Sequence, residues 1–120
     1  MSFIFIVAIA EVTWQVWVYT SDLRGAGTDA NVYAVLYGTQ GKTRDVIKSD
    51  VIPLDNKGDN FESGQCDKFK VDVMDVGVPF KLRIGHDNSG SFAAWHLDRV
   101  SRTNRQTTKI AKKIIVEILL

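Results

Sequence analysis

Three loops hold the side chains best suited to chemistry. The first reads Gly25-Ala26-Gly27-Thr28-Asp29-Ala30-Asn31-Val32. The second is Asp55-Asn56-Lys57-Gly58-Asp59-Asn60-Phe61-Glu62-Ser63-Gly64, and the third Gly85-His86-Asp87-Asn88-Ser89-Gly90. Each mixes glycine with oxygen-bearing side chains. Oxygen donors on adaptable loops suit a hard cation such as calcium, which takes about six to eight of them. Asp55, Asp59, Asn60 and Glu62 place four oxygen side chains within eight residues. Clustered carboxylates repel one another unless a cation neutralises them. A second explanation needs no metal: Gly, Asn and Asp are turn formers, and Asp29 would then cap the turn before Val32. The second loop is not an EF-hand, because counting from Asp55 puts Lys57 at the third position and Asn60 where Gly is required. His86, His96 and Cys66 do not have zinc spacing.

Strands must position these loops. Trp14, Val16 and Val18 alternate with Gln15, Trp17 and Tyr19, the period-two signature of a strand. Val32–Tyr37 is apolar on both faces and reads as a central strand. Phe69, Val71 and Val73 alternate with Lys68, Lys70 and Asp72, and Leu82 and Ile84 with Lys81 and Arg83. One charged and one apolar face is the pattern of an antiparallel sheet packed on one side. The expectation is an all-β protein, a sandwich of two packed sheets. Trp14, Trp17 and Trp95 are expected in its core. His86 falls on the inward phase of its strand and is expected as a hydrogen-bonded core histidine, not a catalytic base. Cys66 is expected to be a half-buried thiol, with no activating base near it.

Order and spacing then carry a family resemblance. The Gly25 to Val32 loop, Asn60 to Phe69, Leu82 to Gly90 and Trp95-His96-Leu97-Asp98-Arg99-Val100 together resemble a PLAT (lipoxygenase-homology, LH2) domain. The third loop is most similar to repeats of the stereociliary multi-PLAT lipoxygenase-homology type, then to the polycystin PLAT domain. The resemblance implies an antiparallel β-sandwich of two four-stranded sheets. It also implies a calcium site: backbone carbonyls of Gly27 and Thr28, side chains of Asp29, Asp59, Asn60 and Glu62, with Asp55 serving a second site. It further implies membrane contact by residues on the same loops, here Leu23 with Arg24, and Phe92. At about 1.5–3 kcal/mol per fully buried side chain, two such tips give only weak, reversible attachment. The tips lack the tryptophan common in lipid-binding members.

Composition narrows the functions. Net charge is +1, with 10 Lys/Arg against 12 Asp/Glu over residues 13–100 and 5 against 1 from residue 101 onward. That balance argues against a dedicated nucleic-acid binder. One cysteine excludes an internal disulfide. Two histidines and no acid–base constellation argue against an enzyme. Residues 1–12 form an apolar extension, 13–100 the domain core, and 101–120 a basic linker ending in a strand or an amphipathic helix. The apolar run before Glu11 lacks the positive flank of a signal peptide and is too short to span a bilayer. The sequence therefore reads as a monomeric, non-catalytic module, cytoplasmic or peripheral to a membrane, with secretion less supported. Its partner is a membrane lipid surface, with calcium's help, or a protein if the module is an adaptor repeat of a larger scaffold.

Overall fold

The computed structural model describes residues 11–56, 58–90, 94–103 and 115–119. Eight strands follow one another: β1 (Glu11–Thr20), β2 (Val32–Gln40), β3 (Asp45–Lys48), β4 (Ile52–Pro53), β5 (Cys66–Met74), β6 (Val78–His86), β7 (Leu97–Thr103) and β8 (Ile115–Leu119). A 3-10 turn, Gly41–Thr43, links β2 to β3. One sheet has the order β5-β1-β7; the other runs β3-β2-β6-β8, with β4 also pairing β2.

The alternation read from the sequence decides which side chains meet between the sheets. Trp14, Val16 and Val18 of β1 and Phe69 and Val73 of β5 face Val32, Ala34 and Leu36 of β2 and Leu82 and Ile84 of β6 in one core. Val18 and Ile84 are wholly buried, each contributing roughly 1.5–3 kcal/mol. β2 is buried on both sides, as a central strand must be. On its outer side Tyr37 is covered by Lys81, whose Nζ lies 4.2 Å from the ring centre, and by Arg83 at 5.3 Å. Cationic heads above an aromatic face keep their charge in water while their stems cover carbon.

Among the described residues the β-sandwich divides its strands three and five, where two sheets of four were expected. β3 and β4 share one flank of β2, and β8 joins the other side of that sheet. The C-terminal segment is a strand where it is described, but it runs parallel to β6, with Arg83 opposite Glu117. Glu117 bridges Lys81 at 3.2 Å and Arg83 at 3.4 Å. The Lys81 contact, ahead of the field of Arg83, holds its carboxyl below the usual range. β7 continues through Thr103, so residues 101–103, read as the start of a linker, are strand.

Two side chains depart from expectation. Trp14 and Trp95 are core residues, and Trp95 donates its indole N–H to the Thr20 hydroxyl at 3.0 Å. Trp17 instead lies half-buried on the outer face of β1, because its phase is opposite to that of Trp14. Cys66 is exposed, since it begins β5 on the outward phase.

Candidate functional site

All three loops meet at one rim. Thr28 donates its backbone N–H to the Phe61 carbonyl at 3.0 Å, tying the first loop to the second. A Cβ on Gly27 would stand 2.8 Å from that carbonyl oxygen and 3.2 Å from the Glu62 Cα, so only glycine allows the approach. The buried Thr28 hydroxyl accepts the Ala30 N–H at 3.1 Å, closing the turn that presents Asp29. The third loop joins through Asp87. One carboxylate oxygen accepts the Asn31 N–H at 3.0 Å, the Ser89 N–H at 3.0 Å and the Ser89 hydroxyl at 2.6 Å. Its other oxygen accepts the Asn31 amide at 2.8 Å. His86, half-buried at the end of β6, accepts the Asn88 N–H at 3.0 Å.

Ser89 first, then Asn31, hold the Asp87 carboxyl far below the ordinary carboxylate range. A carboxylate with a depressed folded-state pKa adds stability that is present above its unfolded value and lost as pH falls through the folded one. Asp87→Asn is therefore expected to cost stability at neutral pH. That difference from the parent should shrink only in strongly acid solution, as followed by thermal unfolding against pH.

The second loop is held from beneath by a residue that the loop motifs did not reveal. Asp67 on β5 is only 5% exposed. One of its carboxylate oxygens accepts the Phe61 N–H at 2.8 Å, and the other accepts the Gln65 side-chain amide. The same Gln65 amide donates to the Asp59 carbonyl at 2.7 Å. Asn56 donates its amide to the Lys68 carbonyl at 3.3 Å, pinning the start of the loop to β5. Phe61 adopts φ 63°, the left-handed region, and its ring is buried although the polar Asn60 and acidic Glu62 flank it. That ring stacks on Phe69 at 5.5 Å and meets Trp95 edge-on at 5.3 Å.

This frame spreads the expected ligands around two adjoining hollows. One, of about 340 Å³, is lined by Thr28, Asp29, Asn31, Asp55, Asp59 and Asn60, among others. The other, of about 360 Å³, is lined by Gly25, Gly27, Asp29, Glu62, Ser63 and Ala94. Asp29 borders both. The Glu62 carboxyl is pushed above its usual range by Asp59, with smaller contributions from desolvation and from Asp29. An oxygen-only donor set whose carboxylates repel one another fits a hard cation in kind. The fit is one of donor chemistry alone. Among the described residues no three His, Cys, Asp or Glu side chains form a ready metal cluster. Leu23 is 55% exposed beside this rim. Its carbonyl accepts the Ala26 N–H and the Ser63 hydroxyl, and the neighbouring Arg24 is exposed. Phe92, the other expected tip, lies outside the described residues. Among those described, no helix is long and apolar enough to cross a membrane.

The comparisons with known proteins agree with this architecture. The family model for the PLAT/LH2 domain matches residues 14–117. The mouse (Mus musculus) lipoxygenase homology domain-containing protein 1 is 40% identical over 87 residues, 72% of this chain. Human (Homo sapiens) polycystin-1 is 33% identical over 100 residues, 82% of the chain. The chain spans only 4% and 2% of the lengths of those two proteins. Coral 8R-lipoxygenase, whose structure is described by calcium activation via a C2-like domain, superposes with a TM-score of 0.65. The superposition is at 27% identity and covers 78% of this chain and 13% of that one. The chain belongs to the PLAT/LH2 domain family.

Proposed function

We propose that this domain is a non-catalytic module that takes calcium at the rim and, with the ion in place, attaches to a membrane lipid surface. The observation that carries the reading is that Asp59, and less strongly Asp29, raise the Glu62 carboxyl across loops tied by the Thr28–Phe61 hydrogen bond. The Asp29, Asp59 and Glu62 carboxylates, the Asn60 amide oxygen and the carbonyls of Gly27 and Thr28 would hold the ion, with Asp55, which also lines the first hollow, serving a second site. When bound, calcium supplies positive charge that offsets the repulsion among these carboxylates and between them and anionic headgroups. The residues do the rest. Gly27 lets the loops touch, Asp67 and Gln65 fix the second loop, and Leu23 with Arg24 offers one apolar and one cationic side chain to the interface. Calcium activation of the coral enzyme through a C2-like domain supports the reading by analogy.

Co-sedimentation with phosphatidylserine vesicles tests it. The protein is expected in the pellet with calcium and in the supernatant with chelator, and Leu23→Asp is expected to abolish sedimentation. Equal sedimentation with and without calcium would overturn the reading. An adaptor repeat of a larger scaffold is the second reading, favoured by relatives many times longer than this chain.

A further inference from the structure

The outer face of the three-stranded sheet has a chemistry of its own. Trp17 and Tyr19 stand half-buried on its central strand. The register sets Lys68 beside Trp17 and Lys70 beside Gln15 on β5, and Arg99 beside Tyr19 on β7. The Lys68 Nζ lies 5.5 Å from the Trp17 ring centre, and the Arg99 guanidinium carbon 4.0 Å from that of Tyr19. The three cross-strand rows centred on Gln15, Trp17 and Tyr19 contain no carboxylate, although residues 13–100 as a whole carry more acidic than basic side chains. Asp98 reaches Arg99 at 3.1 Å, but both side chains are more than half exposed. An exposed pair of that kind contributes little and leaves the guanidinium available.

We propose that this face docks an acidic segment of a partner protein. Charge complementarity names the occupant: fixed cations seated on aromatic rings, in rows free of carboxylates, match glutamate and aspartate side chains laid across the strands. Trp, Tyr and Arg are also the residue types that dominate protein–protein hot spots. A bilayer fits less well. The exposed large aliphatics among the described residues are Leu23, Val46, Val51, Val78 and Ile118, and none lies in these rows, so the face has no aliphatic side chains to insert into lipid. Three strands about 4.8 Å apart make a narrow footprint. It falls below the roughly 1,200 Å² of a stable complex, so the contact is weak, salt-sensitive and suited to repetition along a scaffold. The inference goes beyond the calcium reading, does not involve the rim, and gives the adaptor reading a surface.

The test uses the whole chain in chelator, so that it stands or falls apart from calcium. A synthetic peptide alternating glutamate with tyrosine is titrated while backbone amide signals are followed by NMR at low and high salt. The expected shifts centre on Trp17, Tyr19, Lys68, Lys70 and Arg99 and fade at high salt. Lys68→Glu with Arg99→Glu is expected to weaken binding about tenfold or more through like-charge repulsion. Lys42→Glu with Arg44→Glu, exposed on the 3-10 turn and the residue after it, should leave binding unchanged. Three results would overturn the proposal: shifts scattered over both sheets, an equal loss in the Lys42 and Arg44 pair, or a response to phosphatidylserine vesicles but not to the peptide. All four substituted side chains are exposed, and an unchanged spread of amide signals verifies folding in each variant.

Discussion

Phe61→Ala is expected to lower the free energy of unfolding by about 3–5 kcal/mol, and to carry the calcium response away with it. Phe61 belongs at once to the acidic loop and to the core. Its backbone carbonyl holds Thr28, its N–H is held by Asp67, and its ring is packed against Phe69 and Trp95. Removing the ring leaves a cavity under the rim, so the neighbours of Asp59 and Glu62 lose their fixed spacing. The positive φ refines the prediction. Phe61→Gly should be no worse than Phe61→Ala, because glycine adopts φ 63° without strain and alanine does not. Urea unfolding of the three proteins measures both statements. A glycine variant clearly less stable than the alanine variant would contradict the role assigned to the backbone.

The second large effect is expected at Asp67. Asp67→Ala removes the acceptor for the Phe61 N–H and the Gln65 amide, leaving a buried donor without its partner, at a cost of about 2–3 kcal/mol. Gln65 is then free to swing away, and the Asp59 carbonyl loses the donor that holds it. The consequence reaches the site. Calcium should bind more weakly to Asp67→Ala even at temperatures where the variant is fully folded. Gln65→Ala separates the two roles. It should reduce stability less than Asp67→Ala, because Gln65 is only partly buried, while still weakening calcium binding.

How much of this was legible in the sequence depends on the range of the interaction. The strands were legible because alternation is local, and the same parity that buries Trp14, Val16 and Val18 buries Phe69 and Val73. Parity also held two signals that residue type obscured. Trp17 is out of phase with Trp14, so its outward position followed from spacing, although tryptophan is ordinarily a core residue. Asp67 is in phase with Phe69 and Val73, which marks an inward-facing carboxylate, and a buried carboxylate needs donors. What parity cannot give is pairing between distant segments. The parallel pairing of β8 with β6, and the Glu117 bridge to Lys81 and Arg83, depend on where a remote strand docks. The approach of Gly27 to Phe61 is equally non-local. The glycine was visible, but its reason lies in a carbonyl 34 positions further along the chain.

Thermal unfolding with and without millimolar calcium, on the parent and on Asp59→Ala with Glu62→Ala, tests the proposed calcium site most directly. A ligand that binds only the folded state stabilises it by about 2.7 kcal/mol at a hundredfold excess over its Kd, a rise of about 10 °C for a domain of this size. That rise is expected in the parent and none in the double variant. In chelator the double variant is expected to be no less stable than the parent near neutral pH. Glu62, with its folded pKa raised, is stabilising below its unfolded value, and that contribution is lost as pH rises through the folded one. A parent that does not respond to calcium, or a double variant that responds as strongly as the parent, would contradict the proposed site.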